Sequence, residues 1–128
     1  MKSCTLATIG TLGMLFAATV FSQELVPTKD PGVNRAALII NPGKGVDVLR
    51  LELEPGKART LHQHDDVRYH LFLSLSGSIE VTMGDKKVAT TPGQALMIEK
   101  SVPHSYRNTG TTPAACYEVF IREPKNDR

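Results

Sequence analysis

Short apolar or β-branched runs, cut apart at close intervals by Gly- and Pro-bearing turns, constrain this chain more than any other feature. The runs lie at residues 36–40, 46–53, 59–64, 70–75, 79–83, 88–91, 94–98, 104–107 and 114–121, with "NPGKG", "EPG", "SG", "GDKK" and "TPG" among the breaks. Outside the N-terminus no run carries an apolar stripe of helical period. In the run at 46–53, Asp47, Leu49, Leu51 and Leu53 share one face by strict alternation. Many short strands at this spacing predict an all-β fold, a small antiparallel barrel or sandwich. "GDKK" reads as a hairpin turn. "NPGKG" lacks the Gly-x4-Gly-Lys-Ser/Thr spacing of a phosphate loop and no helical pattern follows it, so it too reads as a turn.

The 128 residues allow one domain. Hydrophobic residues make up 41% and charged residues 22%, ordinary values for a globular chain whose core needs no disulfide staples. A net charge of +2 without a basic cluster argues against a nucleic-acid partner. Aromatics are scarce, at 5%, and Trp is absent, so nothing suggests a stacking platform for bases or sugars.

The N-terminus has its own character. Lys2 is followed by an uncharged apolar or small stretch at 6–21, and Val20 and Ser22 occupy the −3 and −1 positions of a peptidase cut. Residues 1–22 therefore read as a secretory signal peptide; the alternative, an uncleaved anchor, is disfavoured by a short apolar stretch diluted by Gly and Thr. The expectation is an exported protein, periplasmic or secreted, free of the membrane after cleavage. Cys4 leaves with the segment, so Cys116 has no partner for an internal disulfide and reads as a small buried apolar residue. Residues 23–35, with Pro27, Pro31 and Gly32, read as an arm; 36–121 as the barrel domain; 122–128 as a tail.

The chain has four histidines, and three of them, His62, His64 and His70, lie in "LHQHDDVRYHLF". On a strand His62 and His64 point to one face. The polar stretch at 65–69 can reverse the chain and bring His70 back on a neighbouring strand, about 5 Å away. Imidazoles gathered so closely repel when protonated and need partners for both ring nitrogens; a shared transition-metal ion answers both needs. The alternative is a set of solvated histidines beside an acidic turn.

The stretch "GKARTLHQH", followed by His70 and Gly77, resembles the first motif of the cupin superfamily: Gly, five residues, His-x-His, a Glu, then Gly. "TPGQALMI" with Gly93 and "SVPHSYRN" with His104 and Asn108 resemble the second. In the second motif Ser101 stands where the family usually has Gly, and in the first His70 stands where it has the Glu ligand, one residue further from His64. The resemblance implies a single-domain cupin barrel with His62, His64, His70 and His104 as ligands of one divalent transition metal. It favours Mn, Fe or Cu, with Zn or Ni possible. Asp65 or Asp66 could replace His70 if the turn folds otherwise.

Four neutral ligands would leave the ion's charge uncancelled and favour an anionic, small-molecule partner. By parity with the histidines, Thr60, Phe72 and Tyr106 face inward, while Arg59 and Arg107 face away. Tyr106 is then either a proton donor or substrate anchor of the site, or a core tyrosine with its hydroxyl at the rim. Leu71, Leu73 and Leu75 make the opposite face apolar too, which calls for cover by the arm or by a partner subunit, hence a homodimer. Three functions fit: a metal-dependent oxidoreductase of the oxygenase type acting on a small enolisable or diol substrate; a redox-neutral isomerase or lyase on a sugar acid or similar carboxylate; and a non-catalytic ligand- or metal-binding protein.

Overall fold

A computed structural model describes residues 24–41 and 45–123. The expected signal segment and the last five residues of the tail lie outside the described residues. Among the described residues nine strands follow one another: β1 (Val26–Pro27), β2 (Val33–Asn41), β3 (Val46–Leu53), β4 (Val67–Ser76), β5 (Ile79–Met83), β6 (Lys86–Thr90), β7 (Ala95–Ile98), β8 (His104–Asn108) and β9 (Ala114–Arg122). They form a six-stranded sheet in the order β1-β2-β3-β9-β4-β7 and a three-stranded sheet in the order β6-β5-β8. Every pairing is antiparallel.

Alternation builds the core between the sheets. Leu51, Leu53, Phe72, Ala114 and Cys116 point inward from the larger sheet, and Ile79, Val81 and Tyr106 from the smaller. Phe72 is fully buried, and burial of such a side chain is worth about 1.5–3 kcal/mol. The register then sorts this interior along its length. On the larger sheet Leu51 pairs with Cys116, and four residues further along β9 Phe120 pairs with both Asp47 and His70. On the smaller sheet Asn108 lies opposite Ile79, Tyr106 opposite Val81 and His104 opposite Met83. One end of the interior is therefore apolar and the other carries imidazoles.

Two motif residues hold the apolar end. The Asn108 amide donates to the carbonyls of Leu53 (2.9 Å) and Thr112 (2.8 Å), and its side-chain oxygen accepts from the Gly110 N–H (2.9 Å). Gly77 turns β4 into β5 at φ 74°, and a Cβ there would lie 2.7 Å from that of Ala114, so a side chain is barred twice over.

Two sequence expectations need correction. Residues 24–35, expected as an arm leading into the domain, already contribute to the larger sheet, because β1 pairs with β2 and β2 begins at Val33. A two-residue edge strand containing a proline has no periodicity to read. The expected strand at 59–64 is reduced to isolated bridges between Ala58 and Arg107 and between His62 and His104. Regular alternation therefore does not govern its side chains.

Candidate metal centre

His62 and His64 come from the irregular segment before β4, His70 from β4 and His104 from β8. His70, on the larger sheet, meets the other three across the interior rather than from a strand adjacent to theirs. His62 bridges to β8, with N–H to carbonyl bonds of 3.0 and 2.8 Å to His104. Ring centroids are 4.4 Å apart for His62–His104, 5.0 Å for His62–His64, 4.7 Å for His70–His104, and 5.3 Å for both His64–His70 and His64–His104. His70 and His104 are buried; His62 and His64 are partly exposed.

Backbone carbonyls fix two of the tautomers. Nδ1–H of His62 donates to the Thr60 carbonyl at 2.7 Å, and Nδ1–H of His104 donates to that of Val102 at 2.8 Å. Each bond leaves the Nε2 lone pair free, the arrangement by which proteins orient metal-binding imidazoles. Nε2 of His64 and of His104 and Nδ1 of His70 are buried without a hydrogen-bond partner. Orphaned buried acceptors are costly, and the free Nε2 atoms of His64 and His104, with that of His62, fit a cation.

The candidate ligand atoms form two overlapping groups. Those of His62, His64 and His104 lie within 4.8 Å of one another, and so do those of His70, His104 and Glu118. Glu118, on β9, was not anticipated from sequence. It is buried, its Oε1 accepts from the Tyr106 hydroxyl at 2.8 Å, and it lies 3.3 Å from Nε2 of His70. Burial raises its pKa, but the hydrogen bonds from His70 and Tyr106 and the adjacent imidazoles outweigh that and bring it below the usual value. The site is thus not made of neutral groups alone.

Tyr106 faces inward as parity required, and Phe72 with it, but its hydroxyl is fully buried between Glu118 and Nε2 of His70 (3.2 Å). Burial and Glu118 push its pKa well up, so it stays protonated and serves to hold these two groups. Arg59 and Thr60 reverse the expected parity. Arg59 lines the cavity, while the Thr60 hydroxyl turns to the buried carboxylate of Asp30, which also pairs with Arg59. Asp65 and Asp66 are exposed, and Asp66 pairs with Arg122. A cavity of about 300 Å³ opens in front of His62 and His64. Glu118, Phe120, Asp47 and Leu49 form part of its wall, and Arg35, Arg59 and Arg122 bring three guanidinium groups to it.

The comparisons with known proteins agree with this fold. Residues 49–120 match the family description "Cupin domain". The chain belongs to the cupin domain family. It is 32% identical over 80 residues to the xanthan biosynthesis protein XanB of Xanthomonas campestris pv. campestris (strain B100), covering 62% of this chain and 17% of that protein. It is 30% identical over 80 residues to mannose-1-phosphate guanylyltransferase 2 of Escherichia coli O157:H7, covering 62% and 16%. The cupin chain thus spans about a sixth of the length of these curated relatives. Among solved structures, a cupin-2 domain from Rhodospirillum rubrum superposes with a TM-score of 0.69 at 21% identity, covering 79% of this chain and 70% of that one. A predicted oxalate decarboxylase from Thermotoga maritima gives 0.69 at 23% identity, covering 79% and 92%. The polyketide cyclase RemF from Streptomyces resistomycificus gives 0.67 at 19%, covering 80% and 75%. At these identities the structural likeness shows the fold.

Two predictions arise from the site. Ser101, in the loop before His104, has φ 62°, and its N–H donates to the His64 carbonyl at 3.0 Å. A left-handed backbone strains a residue that has a Cβ. Ser101→Gly is therefore expected to stabilise the protein by roughly 1 kcal/mol, read as a higher urea midpoint; a lower midpoint contradicts it. The second concerns pH. Burial, reinforced by the neighbouring imidazoles and opposed by the bond to Val102, pushes His104 down from 6.5 to about 4. Burial and the charges of His70 and His62 also lower His64. Between pH 6.5 and 4 the unfolded chain therefore binds more protons than the folded one, and stability falls as pH falls. His104 alone accounts for about 3 kcal/mol across that window, with His64 acting in the same direction. Urea unfolding of chelator-treated protein at pH 7 and pH 4.5 measures it, and equal stabilities would contradict it.

Proposed function

We propose that this cupin is a metal-dependent oxidoreductase of the oxygenase type, with His62, His64, His70 and His104 as ligands and a small oxygen-bearing anion as substrate. The observation that carries the reading is the pairing of His62 and His64, ligand lone pairs available, with a small cavity reached by three arginines. The bound ion would supply Lewis acidity toward the substrate's oxygens and a redox centre. The chain's own residues do the rest. Arg35 attracts the anion, while Arg59 is already paired with Asp30 and Arg122 with Asp47 and Asp66. Thr60 and Val102 hold the imidazoles in their binding tautomers. Phe120 and Leu49 exclude water from the cavity wall. Tyr106, buried and already committed, is a positioning residue rather than a proton donor to substrate.

Metal analysis and oxygen uptake test the proposal together. Iron, manganese or copper at about one per chain, with uptake on a panel of diketones, catechols and hydroxy acids, supports it; no uptake across the panel by metal-loaded protein rejects it. A redox-neutral isomerase or lyase is the second reading, favoured by a carboxylate, Glu118, in the cavity wall. The names of the relatives, a xanthan biosynthesis protein and a mannose-1-phosphate guanylyltransferase, support a sugar-derived anion as substrate in that case. Zinc or nickel without uptake points to it, or to a binder if nothing turns over.

Export with removal of residues 1–22 belongs to the same proposal, and the mature N-terminal sequence tests it. So does a homodimer. Leu71 lies between Met97 and Val119, and Leu73 between Ala95 and Tyr117, on the outer face of the larger sheet. Tyr69, Leu75 and Met97 are exposed there, whereas β1 and β2 lie toward the opposite edge of that sheet. The expected solution mass is twice that of the chain, returning to the single-chain value in a Leu71→Lys/Met97→Lys variant.

A further inference from the structure

We propose that Glu118 is itself a ligand of the metal, the anionic member of an otherwise neutral set, held in place by Tyr106. This rests on the metal reading above and adds a residue to it from a different strand. In the register of the sheet Glu118 lies between Leu49 and Phe72. Its neighbours two residues away on the same inward face, Cys116 and Phe120, are apolar. A carboxylate in that row has no packing role that a leucine would not fill better.

The local hydrogen bonds show how it would bind. The single Tyr106 hydroxyl proton goes to Glu118 Oε1 at 2.8 Å. Nε2 of His70 lies 3.2 Å from the same hydroxyl oxygen and 3.3 Å from Oε1, so it must carry a proton to be accommodated. A cation can take the place of that proton. Donors bound to one ion at about 2.0–2.2 Å lie at most about 4.4 Å apart, and 3.3 Å falls within this limit. The ligand atoms of His70, His104 and Glu118 lie within 4.8 Å of one another, so small side-chain rotations are enough. His104 also belongs to the group with His62 and His64, so it is the residue through which the two groups meet. Charge argues the same way. Four imidazoles leave a divalent ion at +2 in a largely buried site, whereas Glu118 lowers the total to +1. In return, the cation relieves the cost of an ionised carboxylate that is only 2% exposed.

The test is metal binding by Glu118→Gln, Glu118→Asp and Tyr106→Phe beside the wild type, using cobalt(II) alone, with affinity from chelator competition and the visible spectrum as a second readout. If Glu118 is a ligand, Glu118→Gln lowers affinity by about 100-fold or more and changes the cobalt bands. Tyr106→Phe lowers it by about 10-fold, as loss of an outer-sphere partner does, with the bands largely kept. Glu118→Asp preserves the charge but withdraws the oxygen, and it keeps the proposal testable if the glutamine variant does not fold; altered bands are expected there too. Wild-type affinity and bands in whichever Glu118 variants fold would overturn the assignment while leaving the histidine site intact. Failure of the wild type to bind cobalt would overturn both.

Discussion

Replacing His104 with alanine is expected to strip the protein of divalent metal while leaving the barrel folded. His104 is shared by the two groups of candidate ligands, so its loss reduces both at once. Its Nδ1–H is fixed on the Val102 carbonyl and its Nε2 is buried without a partner, so its orientation and lone pair are provided in advance. Loss of an outer-sphere partner typically costs 10–100-fold in affinity. Loss of this ligand should exceed that, to about 100-fold or more. The fold should survive because the bridge to His62 uses only backbone atoms of residue 104. The cavity left behind costs packing, but the variant also sheds a buried imidazole nitrogen that the metal-free chain leaves unsatisfied. A second signature follows: the loss of apo-protein stability between pH 6.5 and 4 should shrink, because the group pushed down to about 4 is gone. Elemental analysis, circular dichroism and urea unfolding at two pH values cover the three expectations. Unchanged metal content would remove His104 from the ligand set.

The parts of this molecule legible in the sequence are those governed by short-range rules. The run at 46–53 and the run at 79–83 coincide with β3 and β5 to the residue, because alternating side chains and turn residues mark them locally. The inward facing of His70 with Phe72 and of His104 with Tyr106 follows from the same alternation. Parity failed at Arg59 and Thr60, where the chain leaves the sheet and long-range partners decide the geometry. Asp30 is 29 residues from Arg59, and no periodicity links them. Glu118 did have a signal. It is the one charged position in the alternate row Ala114, Cys116, Glu118, Phe120 of a late strand, and a buried charge in such a row calls for a partner. What the sequence lacked was the identity of that partner, which depends on how the two sheets stack.

Asp30→Ala is expected to be among the most destabilising single changes outside the apolar core. The carboxylate is 5% exposed and takes hydrogen bonds from the Arg59 guanidinium and the Thr60 hydroxyl. Burial raises its pKa, yet those bonds prevail and keep it below the usual value, so it is ionised at neutral pH. Without it, the Arg59 side chain, 18% exposed, is left with no counter-charge, and its Nε already lacks a partner. Removing one member of a buried pair costs about 3–5 kcal/mol; the residual exposure of Arg59 puts the expectation near 3, a fall in melting temperature of more than about 10 °C. Asp30→Asn, which can still accept from Thr60, should fall between alanine and wild type. The damage should also reach the metal site. Thr60, tied to Asp30 through its hydroxyl, is the residue whose carbonyl holds Nδ1 of His62 at 2.7 Å. Freed from Asp30, that carbonyl orients the imidazole less well, and metal affinity should drop by about 10-fold even under conditions where the variant remains folded. Thermal melts of the three proteins, with metal competition at 10 °C, measure both effects. A melting temperature within a degree of wild type would mean that Arg59 finds water or another acid once Asp30 is gone.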